Sequence, residues 1–142
     1  MKRLFTPDIT IEQLNGLSRN TLVEHLGIKI TALGEDFIEA TMPVDHRTHQ
    51  PYGLLHGGAS VALAETLGSI AAFCTLGDQN KHVVGLEINA NHIKSVKTGF
   101  VKGTTRPIHV GQRTQVWETK IVNESSELVC VSRITMAVIE KR

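Results

Sequence analysis

The stretch from Gly57 to Leu76, GGASVALAETLGSIAAFCTL, constrains this chain more than any other. It is apolar or small on nearly every side and contains no proline, so it reads as one long helix. A helix that is apolar all round has no face for water and must be enclosed by the rest of the chain. With 142 residues, 41% hydrophobic and 20% charged, residues 1–142 can do this as a single domain with one core. Glu65, Thr66, Gly68, Ser69 and Thr75 break the apolar run, which argues against a membrane span.

The flanking sequence supplies the wrapping. Thr10 and Gln13 form a capping pair for a short helix, with Ile11, Leu14, Leu17 and Leu22 as its apolar stripe and Gly27 as a stop. Ile28 to Leu33 and Phe37 to Pro43 read as two strands around the Gly34-Glu35-Asp36 turn. Val44 to Leu55 is a polar loop. After the long helix come four more strand-like runs: His82 to Ile93, Gly99 to His109, Thr114 to Asn123 and Leu128 to Ile139. The last two connections are of hairpin length. The expected fold is α+β, a mostly antiparallel sheet covering one central helix.

Glu65 is the only charged side chain of that helix. An unpaired carboxylate in an apolar setting costs several kcal/mol, so it must be paired, protonated or facing a wet cleft. It is either a structural group, bonded to backbone or to an arginine of the sheet, or a general base or nucleophile. Ser69 lies one turn later on the same face, placed either to hold a water beside Glu65 or simply to pack as a small residue. At the start of the helix, Gly57 and Gly58 leave backbone N–H groups unhindered at the positive end of the helix dipole. Such a pair is either a close-packed turn or an oxyanion site. Glu65 stands eight residues beyond Gly57, which is roughly 12 Å along one helix. Both groups would have to come within roughly 3 Å of one carbonyl. If both are catalytic, they come from two subunits with antiparallel helices, and the protein is an obligate dimer.

Other chemistries lack their signatures. There is no GxSxG elbow, no Walker A motif and no GxGxxG motif. His46, His49 and His56 share a loop, but not at zinc-ligand spacing, so no metal is expected. His82 and His109 read as solvated or lightly packed. The net charge of +1 gives no argument for nucleic acid or an anionic membrane. Cys74 and Cys130 lack CxxC spacing and sit among apolar residues. They read as buried free thiols of a reducing compartment, the cytoplasm. The N-terminus has no apolar run behind its basic residues, so no signal peptide is expected.

Two segments carry a family resemblance. One runs from Met42-Pro43-Val44-Asp45 to Ser69, with Gln50-Pro51-Tyr52-Gly53-Leu54-Leu55-His56-Gly57-Gly58 and Ala64-Glu65. The other is Val83-Val84-Gly85-Leu86-Glu87-Ile88-Asn89-Ala90-Asn91-His92. Together they resemble the hot-dog-fold acyl-CoA thioesterases, in particular the group acting on 1,4-dihydroxy-2-naphthoyl-CoA in menaquinone synthesis or proofreading in enterobactin synthesis. The resemblance implies a curved sheet around the long helix and dimers paired into a homotetramer. It implies Glu65 as nucleophile or base, Gly57 as oxyanion donor helped by Gln50 and His56, and Ser69 holding the water. It implies coenzyme A contacts at Gly85, at His92, Ile93, Lys94 and Ser95, and in the hairpin His109, Val110, Gly111, Gln112, Arg113 and Thr114. Lys94 and Arg113 suit phosphates, although Lys94 stands where arginine is common. Tyr52 stands where phenylalanine is common. No cofactor is implied.

The expected substrate is therefore an acyl-CoA with an aromatic or bulky acyl group. An acyl carrier protein loaded with a misplaced acyl group is the second expectation. A hot-dog hydratase would need a second acid or base near Glu65, and none is evident. A non-catalytic CoA-binding module is disfavoured by the intact Glu65, Gly57 and Gln50.

Overall fold

The computed structural model describes residues 4–142. Its elements are α1 (Ile11–Leu17), α2 (Leu22–His25), β1 (Lys29–Leu33), β2 (Ile38–Pro43), α3 (Gly57–Cys74), β3 (Lys81–His92), β4 (Phe100–Val110), β5 (Thr114–Val122) and β6 (Leu128–Glu140). The six strands form one sheet in the order β1-β2-β4-β5-β6-β3. Every neighbouring pair is antiparallel. The sheet packs around α3, which is the expected α+β hot-dog arrangement.

The strands fall within a residue of their sequence-based bounds, and in β2 the reason is strict alternation. In β2, Ile38, Ala40 and Met42 are all fully buried while Glu39 and Thr41 are half-buried. The buried face of α3 carries Leu63, Ala64, Leu67, Gly68 and Ala71. These pack with Trp117, Ile121, Ile134 and Met136 of the sheet in one core. Each buried leucine contributes about 1.5–3 kcal/mol. By length and mean hydropathy α3 alone would qualify as a membrane span, contrary to the sequence reading. In the fold it is instead the helix that the sheet encloses. Cys74 and Cys130 are free and buried. Burial pushes the Cys74 thiol up to about 12 and raises that of Cys130.

The N-terminal region departs from expectation. Thr10 and Gln13 do form the capping box. The stripe they were expected to start does not bury as a unit: Leu14 is 2% exposed, but Leu17 is 68% and Leu22 63% exposed. The chain turns between them and forms a second helix, α2. Gly27, at φ +74°, ends that helix. Its N–H bonds to Glu24 O, and the Ile28 N–H bonds to Val23 O. This pair of bonds is the left-handed glycine cap that satisfies the last carbonyls of a helix. Leu17 lines a cavity against α3 rather than the core, and Leu22 faces solvent.

The two sheet edges differ. On β1, the Asn15 side chain bonds both the N–H and the carbonyl of Ile30, so α1 covers that edge. On the other side β3 is a twelve-residue edge strand with Val84 and Leu86 exposed. A β-bulge at Leu86 shifts its register. Long bare edges invite pairing with another strand.

Gly68 tests the helix-on-sheet packing. A Cβ there would stand 2.5 Å from Ile134 Cγ2, whereas one at Gly16 meets nothing within 4 Å. Overpacking costs about 1–3 kcal/mol against about 1 kcal/mol of helix propensity gained. Gly68→Ala should therefore lower the melting temperature by roughly 3 °C, and Gly16→Ala should hold or raise it. Thermal unfolding followed by circular dichroism checks both; a Gly68→Ala protein as stable as the wild type contradicts the packing.

Candidate active site

The site begins at the start of α3. His56 is the N-cap, and its Nδ1 accepts the Gly58 N–H at 2.7 Å. That bond places the proton of the neutral ring on Nε2. His56 O takes the Ala59 N–H at 2.9 Å. Among the described residues nothing claims the N–H of Gly57, so the cap leaves one first-turn donor free. A Cβ at Gly57 would stand 2.8 Å from His92 Nε2, so any larger residue there would displace the His92 ring. Beside it, Gln50 Oε1 accepts the Tyr52 N–H of its own loop. With its carbonyl end engaged, Gln50 offers its amide NH2 as a donor. Gln50, Gly57, Ser60, His92, Ile93, Lys94 and Ser95 line one cavity of about 340 Å³.

The preceding loop is stapled in place. Thr48 Oγ1 donates to Pro43 O at 2.7 Å, and the His49 ring meets Lys97 O at 2.8 Å. The Arg47 guanidinium holds the Asp45 carboxyl far below the usual carboxylate range. His46, His49 and His56 thus have three separate environments, and among the described residues no cluster of metal-ligating side chains forms.

Glu65 lines a different cavity, of about 490 Å³, with Ser69 and Thr66 from α3. The ion pairs among the described residues all use other carboxylates, so the arginine-paired reading of Glu65 does not hold. A Cβ on Gly85 would stand 2.8 Å from Glu65 Oε1. The bare backbone of Gly85, next to the Leu86 bulge, is what admits the carboxylate. Ser69 O–H points to Met136 Sδ at 4.0 Å, so its oxygen is left to accept within the cavity. Leu14, Leu17, Val23, Ile70, Phe73 and Val83 supply the apolar part of the wall and Ser18, Thr21 and His82 the polar part, so His82, expected to be solvated or lightly packed, shares the cavity with Glu65. Sequence reasoning missed this wall. Its signal is the apolar stripe of the first helix, whose spacing suits a core equally well.

The two cavities share no lining residue. The structure therefore unites Gly57, Gln50 and His92 to Ser95 on one side, and Glu65, Ser69 and Gly85 on the other. The expected coenzyme A contacts do not form one run within a protomer. Gly85 touches Glu65, while Val110, Gly111 and Gln112 line a third cavity with Thr75 and Leu76, at the opposite end of α3 from Gly57. An 18-residue helix separates these ends, which is roughly 27 Å. Lys94 is paired with Glu127, and this ion pair holds the Glu127 carboxyl below its ordinary range. An exposed pair of this kind exchanges readily for another anion.

A fold of this kind, holding a carboxylate and an unclaimed helix N–H, defines a class, and the comparisons agree. The Thioesterase superfamily model matches residues 52–130, and the chain belongs to that family. It is a thioester hydrolase. A thioesterase crystal structure from Haemophilus influenzae superposes with a TM-score of 0.93 at 55% identity, covering 96% of this chain and 95% of the other. The proofreading thioesterase EntH of Cronobacter turicensis is 55% identical over 92% of this chain and 94% of its own length. The 1,4-dihydroxy-2-naphthoyl-CoA hydrolase of Escherichia coli K12 is 52% identical over 92% and 96% respectively.

Gly85 gives a direct probe of the carboxylate. Gly85→Ala should push Glu65 aside and lower turnover of a thioester substrate about 100-fold, the cost of a misplacement of about 1 Å. Its melting temperature should stay near that of the wild type, since Gly85 is an exposed strand residue. Steady-state kinetics beside thermal unfolding decide it; undiminished turnover contradicts the contact.

Proposed function

We propose that the protein hydrolyses an aromatic acyl-CoA, with 1,4-dihydroxy-2-naphthoyl-CoA as the leading candidate, at a site shared by two subunits. The carrying observation is the separation of Gly57 and Glu65 into two cavities on one stiff helix. Neither cavity alone holds both a carboxylate and an oxyanion donor. A two-fold axis running the α3 helices antiparallel would bring the Gly57 cavity of one subunit to the Glu65 cavity of its partner. The bare edge of β3 supports this, because strand pairing there would extend the sheet across the same axis.

In this reading the acyl group enters the apolar Glu65 cavity, whose size suits a ring system. The thioester carbonyl accepts hydrogen bonds from the Gly57 N–H and the Gln50 amide of the partner. Glu65 takes a proton from a water held by Ser69, and the hydroxide adds to the carbonyl carbon. The tetrahedral oxyanion collapses, the C–S bond breaks, and the leaving sulfur takes the proton from Glu65. Direct attack by the Glu65 carboxylate, through an anhydride that water then opens, uses the same groups. His56 acts through the cap, freeing Gly57 while fixing Gly58. Lys94 and Arg113 would meet the phosphates of coenzyme A, with the 109–114 hairpin arriving from another subunit. Pairing of dimers into a tetramer and a cytoplasmic location belong to this reading, the latter supported by the free thiols of Cys74 and Cys130.

Similarity to the Cronobacter enzyme supports a second reading, the release of misloaded acyl groups from an aryl carrier protein. The same site serves both, since each presents a pantetheine thioester.

Release of free thiol from a panel of aryl and aliphatic acyl-CoAs tests the proposal, and the buried cysteines keep the protein itself silent in that assay. Aryl-CoAs should be the better substrates. Glu65→Gln should lower their turnover about 1,000-fold or more while leaving the melting temperature close to that of the wild type. Near-normal turnover in Glu65→Gln would sink the mechanism.

A further inference from the structure

Tyr52 is 88% exposed, the most exposed large hydrophobic side chain among the described residues. It is nevertheless held firmly. The Gly53 N–H bonds Gln50 O at 2.9 Å, closing a turn with Pro51 and Tyr52 at its centre. Gly53 has φ +77°. Gln50 Oε1 takes the Tyr52 N–H, and a bridge between His49 and Leu55 closes the base of the loop. A stiff turn of this kind holds an aromatic ring ready for any apolar surface brought against it.

The Glu65 cavity has the complementary defect. Its rim carries Leu17, 68% exposed, and Phe73, 49% exposed, and one side is open. Antiparallel helices decide which parts of two subunits meet. With Gly57 opposite the partner's Glu65, the chain preceding Gly57 continues past the helix end along the half of the partner helix that runs on from Glu65 to Phe73. That half-helix carries the cavity lining. It is roughly 12 Å long, and the five residues from Tyr52 to Gly57 can span up to roughly 17 Å.

Resting on the shared-site reading, we propose that Tyr52 is a specificity-determining residue that acts in the partner's acyl cavity. Its ring closes the open side and packs against a flat aromatic acyl group. A short aliphatic acyl group does not reach it. Tyr52 therefore selects the substrate class without touching the reacting carbonyl.

The test compares benzoyl-CoA with butyryl-CoA. Tyr52→Ala should lower kcat/KM for benzoyl-CoA about tenfold, mainly through KM, and leave butyryl-CoA within about twofold. Tyr52→Phe should retain the aryl preference. A spectroscopic arm separates contact from mere folding, because Tyr52 is the only tyrosine of the chain. Labelled with 3-fluorotyrosine, Glu65→Gln protein should show one fluorine resonance that moves with benzoyl-CoA and stays with butyryl-CoA. Equal losses on both substrates, no loss on either, or a resonance that responds to both alike or to neither overturns the assignment. Those results leave thioester hydrolysis standing. A wild-type protein that hydrolyses neither compound removes the underlying reading and this inference with it.

Discussion

A helix with no polar face cannot meet water, and the architecture follows from enclosing it. The sheet around α3 hides Leu63, Leu67 and Ala71. Gly68 and Gly103 let the strands approach, since side chains at either would strike Ile134 or Leu67. Enclosure on the sheet side leaves the opposite flank to α1 and α2, which cover it incompletely. The gap they leave is the cavity holding Glu65. The carboxylate is thus a consequence of the same packing: it is tolerated on a buried helix because the enclosure stops short there.

The same helix fixes the division of labour. Its first turn presents one free N–H because the His56 ring and carbonyl occupy the next two donors. Its middle presents Glu65. A rigid rod cannot bend these together, so the proposed mechanism requires a second rod, and the uncovered β3 edge offers it a means of pairing. The arrangement explains why the oxyanion donors and the carboxylate each look incomplete alone. It also explains why the residues expected to grip coenzyme A are dispersed in one protomer.

Much of this was legible in the sequence. Alternation in β2 and the hairpin spacings fixed the strands, and the lone charge on an apolar run marked Glu65. The proposal of a shared site rests on residue counting through helix rise, given catalytic roles for both Gly57 and Glu65. What escaped was decided by tertiary geometry. Leu17 and Leu22 have the spacing of a core stripe, and only the turn between them shows that Leu17 roofs a cavity while Leu22 lies outside it. Gly85 was expected to face coenzyme A, and the space it leaves for Glu65 is a further feature that the sequence did not show. The exposure of Tyr52 has no local signature, because a tyrosine in a Pro-Tyr-Gly turn is equally compatible with packing inward. The Lys94–Glu127 pair joins residues 33 apart, a separation that composition cannot report.

The shared site is tested most directly by mixing two crippled chains. Glu65→Gln and Gln50→Ala chains are co-expressed with different tags, and the mixed species is isolated by passage over both affinity resins. If the site spans two subunits, one site of each mixed dimer pairs an intact Glu65 with an intact Gln50. The other site collects both lesions, and about a quarter to a half of the wild-type activity returns, depending on how mixed dimers and homodimers pair into tetramers. If each subunit held its own site, every site in the mixed dimer would carry one lesion. Activity would then stay at the mean of the two parent variants, and that result would contradict a site built from two subunits.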